Sequence, residues 1–421
     1  MTGAERDEPR IQDLVYDWNE EAGDLARPSH AVEFDDETLR DGLQSPSVTD
    51  PTIDQKIEIL HLMDGLGIHT ANIGLPGAGP RAVADVTRLA REIADARLSI
   101  GANCAARTLA ADIDPVVEIG QKTGVAIECC TFIGSSPIRQ YTEGWDLDWI
   151  RKTSEDAVSY AVRQGAKVMY VTEDTTRARP EALEALYTTA IEAGASRICL
   201  ADTVGHATPD GARNLVRWAK RLVEKTGADV KVDWHGHRDR GFGLANALAA
   251  MVAGADRVHG TALGIGERVG NTEMDLLLVN LVLLGWLERD LSSLPRYCRL
   301  VSEATGVPIP PNYPVVGEDA FRTGTGVHAA AVIKAARRGE TWLADRVYSG
   351  VPAGLVGREQ RIEIGHMCGK SNVIWWLESR GYPAEPALVD RIFDHAKRTD
   401  HVLSDEEIAA LIAADPAPAS R

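Results

Sequence analysis

Short runs of β-branched or apolar residues recur along the first two thirds of the chain: AVEF (31–34), HTANIGL (69–75), LSIGANC (98–104), VAIECCTFI (125–133), AKVMYVTE (166–173), SRICLAD (196–202), DVKVDWH (229–235) and DRVHGTA (256–262). Between them the apolar positions take the three-to-four spacing of an amphipathic helix, as in DQKIEILHLMDGLG, PEALEALYTTAIEAG and GARNLVRWAKRLVEKTG. Several of these stretches stop at the glycine expected of a helix C-cap. Eight strand-helix units predict a closed (β/α)8 barrel. A doubly wound sheet usually has fewer strands and opens on a GxGxxG turn, and none follows the first run here.

The alternation ends after about Leu287. Two helical patterns follow, LPRYCRLVSEATG and GTGVHAAAVIKAARRG, separated by the prolines of PIPPNYP, then a mixed stretch VGREQRIEIGHMCGKSNVIWWLESRGY and a polar helix. The expected organisation is a polar N-terminal segment over 1–28, a TIM barrel over 29–288, a helical linker over 289–345 and a small C-terminal subdomain over 346–421. The tail AADPAPASR is expected to fray.

Composition narrows the function classes. Hydrophobic residues make up 44% and charged residues 25% of the 421, and no apolar run approaches the ~20 residues of a membrane helix. A net charge of −17, from 45 basic and 62 acidic residues, repels a phosphate backbone, so nucleic acid is not expected as a partner. The polar, acidic start lacks the features of a secretory signal, which implies a cytoplasmic protein. Six cysteines without a CxxC spacing imply buried, reduced thiols.

Chemistry in such barrels sits at the C-terminal ends of the strands. The first run leads into DDETLRDGLQ, the fifth ends at Glu173 and Asp174, the sixth at Asp202 and Thr203, and the seventh at His235 and His237; the eighth runs into GTALGIGERVGN. Strand residues two apart share a face, so His235 and His237 point the same way at a spacing that suits two metal ligands. With Asp41 after the first strand they form a two-histidine, one-carboxylate set with positions open for substrate. The glycines of GIGERVGN lack the lysine and spacing of a phosphate loop and are read as allowing close backbone approach.

These segments, with FIGSSPIRQ (132–140), EDTTR (173–177), ADTVGHATP (201–209), HGHRD (235–239) and PIPPNYPVVGEDAF…TGVH (308–328), resemble the DRE-TIM metal-dependent barrels, in particular the branch of 2-isopropylmalate, homocitrate and citramalate synthases. The resemblance implies metal ligands Asp41, His235 and His237 with Asn271 as a fourth, a divalent ion (Mg, Mn or Zn), and acetyl-CoA as co-substrate. Arg40 would face the reacting carbonyl. Thr203 matches the residue that hydrogen-bonds the substrate carboxylate, although a turn-capping hydroxyl explains its spacing nearly as well. Gln44 matches a position near the substrate. Glu173, His328 and Tyr348 match the positions that take a proton from the acetyl-CoA methyl and pass protons to product. His328 lies outside the barrel, and the resemblance has it act in the partner subunit's site, implying a homodimer.

The implied reaction condenses acetyl-CoA with a 2-oxo acid and hydrolyses the thioester. The alternative is a carbon-carbon lyase of the HMG-CoA lyase or aldolase type, from which the PIPPNYPVVGEDAF and TGVH stretches separate this chain. Amidohydrolase-type enzymes carry their HxH on the first strand, not the seventh. Three positions depart from the common pattern. Arg238 replaces a frequent asparagine, setting a cation beside the metal ligands; Asn72 replaces a frequent acidic residue; and Arg139 replaces a histidine, hinting at an acidic 2-oxo acid such as 2-oxoglutarate, oxaloacetate or phosphonopyruvate. The length after Tyr348 is too short for a full leucine-sensing domain, so no feedback by leucine is expected.

Overall fold

The computed structural model describes residues 14–20 and 26–414. The expected N-terminal segment falls largely, and the fraying tail mostly, outside the described residues. Eight parallel strands close into a barrel in chain order: β1 (Glu33–Asp36), β2 (Thr70–Asn72), β3 (Gly101–Arg107), β4 (Ile127–Gly134), β5 (Val168–Glu173), β6 (Arg197–Asp202), β7 (Lys231–Gly236) and β8 (Arg257–Gly260), with β8 pairing back onto β1. Each expected run contains or overlaps its strand. β1 begins two residues later than AVEF and takes in Asp35 and Asp36, both fully buried.

The outer helices form as their patterns dictate. Helix Ile53–Gly65 opens on a capping box between Thr52 and Gln55, and helix Pro209–Thr226 on a Thr208 cap, ending at Gly227 in the left-handed conformation. Their inner faces pack with the outward strand residues into one large core, to which Leu294, Tyr297, Cys298 and Val301 of helix Leu294–Thr305 also belong. Two smaller cores follow. Ala329, Val332 and Ile333 of helix Gly326–Arg337 pack with Ile362, and a separate cluster around Val373, Trp376, Leu377 and Ile392 joins the last three helices. A short parallel pair, β9 (Arg322–Thr323) and β10 (Arg361–Ile362), ties the segments together.

The deep interior of the barrel is charged. Arg257 on β8 reaches across the barrel to Glu128 on β4 at 2.6 Å and sideways to Asp233, its neighbour on β7, at 2.7 Å. Arg197 joins Asp233 at 2.8 Å and also pairs with Glu33. Each buried charge is thereby partnered, as burial in a low dielectric requires. Above this layer, toward the C-terminal ends of the strands, Cys130, Met169 and Cys199 form a small sulfur-rich cluster with Val171. All six cysteines are buried and free.

Candidate active site

The DETLRDGLQ segment leaves β1 in a tight turn. The amides of Arg40 and Gly42 both donate to the Glu37 carbonyl at 3.0 Å, and residues Asp41–Gln44 form a single 3-10 turn. This turn aims Asp41 across the barrel mouth at the end of β7. There His235 and His237 present their rings to the same side, centroids 5.0 Å apart. Asp41 Oδ2 lies 3.6 Å from His235 Nε2 and 3.7 Å from His237 Nε2. Ligand atoms of all three lie within 4.8 Å of one another, a candidate metal centre of buried donors.

Asn271 completes the arrangement. A β-bridge sets it against His237, its Nδ2 donates to Asp41 Oδ1 at 3.1 Å, and its Oδ1 has no partner. That approach depends on glycine. A Cβ on Gly266 (φ +149°) would lie 2.2 Å from Asn271 Nδ2, and one on Gly270 (φ +98°) 1.8 Å from the Gly264 carbonyl oxygen. The Nδ1 of His237 is likewise buried without a partner. A site whose acceptor-capable atoms are left unsatisfied in this way fits a divalent cation held by two imidazoles, a carboxylate and an amide oxygen.

Glu37 and His259 support the centre, and the sequence reading assigned neither. Glu37 binds Arg40 Nη2 at 2.7 Å and His235 Nδ1 at 2.7 Å, and His259 Nδ1 at 3.2 Å. Because Nδ1 of His235 is taken, Nε2 is the nitrogen turned toward Asp41. Burial alone would neutralise Glu37, but Arg40 and His235 outweigh it and hold the carboxyl well below its usual range. Burial likewise opposes charge on His259, yet Asp35, Asp233 and Glu37 push its pKa up to about 10. Glu37 stands inside DETLRDGLQ and His259 on β8 two residues beyond Arg257, so inward register on β8 was the available signal for the histidine.

A cavity of about 470 Å³ opens above the centre, lined by Arg40, Asp41, Gln44, Asn72, Glu173, Thr203, His235 and His237, among others. The Arg40 Nε and Asn72 Nδ2 donors are buried and unpartnered. Burial pushes the Glu173 carboxyl above its usual range, Arg139 drawing it back and Glu267 adding to the rise. Thr203 Oγ1 accepts the Asp174 amide at 2.9 Å, so it caps a turn as well as facing the cavity.

Other expected residues lie elsewhere. Arg139 stands outside the cavity lining, 41% exposed, 3.1 Å from Glu143 and 3.7 Å from Glu173, with its guanidinium over Trp145. Arg238 turns away from the histidines to pair with Glu273 and to donate to the Val269 carbonyl at 2.9 Å. Arg268 pairs with Asp239 at 2.8 Å and also reaches Glu267 at 3.8 Å. His328 and Tyr348 stack on each other, centroids 4.2 Å apart, and neither lines the cavity of their own barrel.

A family model described as HMGL-like matches residues 31–301, the whole barrel with its candidate metal centre and most of helix Leu294–Thr305. The chain belongs to the HMGL-like family. Among curated members of that DRE-TIM group, it is 34% identical to a homocitrate synthase of Methanopyrus kandleri, over 88% of each chain. It is 32% identical to a 2-isopropylmalate synthase of Pyrococcus furiosus, over 86% of this chain and 71% of the relative. Of solved structures, HMG-CoA lyase from Bacillus subtilis superposes with a TM-score of 0.55 at 18% identity, over 68% of this chain and 97% of the lyase, a likeness of fold. The HMGL-like match ends at residue 301, so His328 and Tyr348 lie beyond it.

Proposed function

We propose that this HMGL-like protein condenses acetyl-CoA with a 2-oxo acid at the mouth of its barrel and hydrolyses the thioester to a 2-alkylmalate-type acid. The carrying observation is that Asp41, His235 and His237 bring buried ligand atoms within 4.8 Å of one another on a cavity that Arg40 and Asn72 also line, with Arg40 Nε and Asn72 Nδ2 left without partners. Asp41, His235, His237 and Asn271 would hold a divalent cation, which supplies Lewis-acid polarisation of a bound carbonyl. The synthase relatives, similar over most of the chain, support condensation over cleavage.

The chain's own groups divide the remaining work. Arg40 is clamped by Glu37 and Asp41, so its charge is fixed beside the centre with Nε free to donate to a developing oxyanion. Asn72 and Thr203 orient the substrate's oxygens. Glu173, raised in basicity by burial and set on the cavity wall, is placed to accept a proton from the thioester methyl. The stacked His328 and Tyr348 are 4.2 Å apart, exposed, and separate from this cavity, which supports their serving the site of a second copy.

The test is free-thiol release from acetyl-CoA in the presence of 2-oxo acids. Asp41→Ala should lower turnover by roughly a thousandfold or more, the scale of several kcal/mol of lost charge stabilisation. Chelation of the native protein should do the same, with activity returning on addition of a divalent ion. Undiminished turnover in the chelated protein would refute the mechanism.

A further inference from the structure

The cavity has two unlike sides. Its charged groups gather on β7, β8 and the turn after β1, with Glu173 and Glu267 also on the lining. The opposite wall is apolar. On β4 Cys130 and Phe132, and on β5 Met169 and Val171, follow one another at alternate positions up the inner surface, with Leu75 and Cys199 to either side. Burial pushes both thiols well above the ordinary cysteine range, so they remain uncharged.

Every nearby arginine is already paired with a carboxylate. Arg40 lines the cavity but is bound by Glu37 and Asp41 beside the metal-ligand set. Arg139 lies outside the lining with Glu143 and Glu173, Arg238 with Glu273, and Arg268 with Asp239. Beneath the cavity, Arg257 is held by Asp233 and Glu128. A second carboxylate on the substrate would therefore meet thiol, thioether and hydrocarbon, with the carboxylates of Glu173 and Glu267 on the same lining; the cations there, Arg40 and His259, lie on the other side and are already paired with Glu37, Asp41 and Asp233, so its lost hydration goes uncompensated. An aliphatic side chain would bury its surface there instead.

Resting on the condensing reading above, we infer that the 2-oxo acid taken by this chain carries a small aliphatic side chain, seated against Phe132, Met169 and Val171, and that dicarboxylic 2-oxo acids are rejected. Arg139 is then a rim residue that takes no part in selecting the substrate.

Two measurements keep the two readings apart. Thiol release from acetyl-CoA is followed with pyruvate, 2-oxobutanoate, 2-oxoisovalerate, 4-methyl-2-oxopentanoate, oxaloacetate and 2-oxoglutarate, the protein being loaded in turn with Mg²⁺, Mn²⁺ and Zn²⁺. Calorimetric binding of the same acids is measured on the loaded protein without acetyl-CoA. The best aliphatic acid should exceed both dicarboxylates by roughly a hundredfold or more in kcat/KM and in affinity. Preference for oxaloacetate or 2-oxoglutarate in either measurement, or failure of every acid to bind, would overturn the inference. Selective aliphatic binding without turnover would overturn condensation and leave the pocket assignment supported. Val171→Arg, which sets a cation on the apolar wall, should narrow the preference at least about tenfold toward 2-oxoglutarate; unchanged selectivity would overturn the role of that wall.

Discussion

Asp36 ends β1 with its carboxyl sealed from solvent, accepting the Thr38 amide at 2.9 Å and the hydroxyl of Tyr297. Burial dominates, the bonds from Thr38 and Tyr297 offset part of it and the charge of Asp35 adds to it, so the pKa rises from 3.8 to about 7. In the unfolded chain the same group titrates near 3.8. Between these values the native state keeps a proton that the unfolded state releases, so this residue makes stability fall as pH climbs from about 4 to about 7. Asp36→Asn keeps the acceptor for Thr38 and carries no charge. Its melting temperature should match the parent near pH 4 and exceed it at pH 8, by roughly 2–4 kcal/mol of stability at most. An advantage of equal size at both pH values would sink the argument. That the two histidines would point the same way at the rim where Asp41 lies was legible, because strand residues two apart share a face and the turn after β1 opens at the same end of the barrel. Glu37 was not, since a carboxylate beside an arginine looks the same whether it faces outward or supports a ligand, and His259 showed only through the face it shares with Arg257 on β8.

At the scale of elements, two tyrosines from beyond β8 brace the loops that carry the site. Tyr297, on helix Leu294–Thr305, lies 3.1 Å from Thr38 Oγ1, which accepts the Ala262 amide at 2.8 Å. Tyr313, from PIPPNYP, donates to Asp275 Oδ2 at 3.0 Å, while Asp275 Oδ1 accepts the Leu263 amide at 2.7 Å. Leu263 sits at φ +57°, a strained setting for leucine that this contact helps to hold. Tyr313→Phe should therefore loosen the GTALGIGERVGN loop and with it Asn271. The measurable outcome is a tenfold to hundredfold weaker divalent-ion affinity with a melting temperature within a few degrees of the parent, the usual scale for groups that orient metal ligands. Unaltered ion affinity would remove Tyr313 from the site's support. Sequence patterning located all eight strands because alternation reports which face is covered. It stopped β1 short at Asp35 because a barrel interior that partners its charges breaks the rule that strands end where charge begins.

At the scale of the whole molecule, the cavity and the His328–Tyr348 pair belong to different parts of one chain. The pair lies in a region with exposed apolar surface, Val327 at 74% and Met367 at 61%, while the short helix Pro137–Glu143 beside the cavity exposes Ile138 and Tyr141 at 54% and 91%. Two such surfaces on one protomer suit a symmetric dimer in which each covers its counterpart on the other chain. If so, a site is built from the barrel of one copy and the His328–Tyr348 pair of the other. Asp41→Ala and His328→Ala chains, each inactive alone, should then complement when coexpressed. Each heterodimer has one site with both defects and one with neither, and random pairing makes about half the dimers mixed, so thiol release should recover to about a quarter of the parental rate. Were both elements to serve the same chain's site, every site in the mixture would carry one lesion and no activity would return. The mixing experiment thus decides the architecture of the catalytic unit without requiring the identity of its 2-oxo acid, provided any acid is turned over.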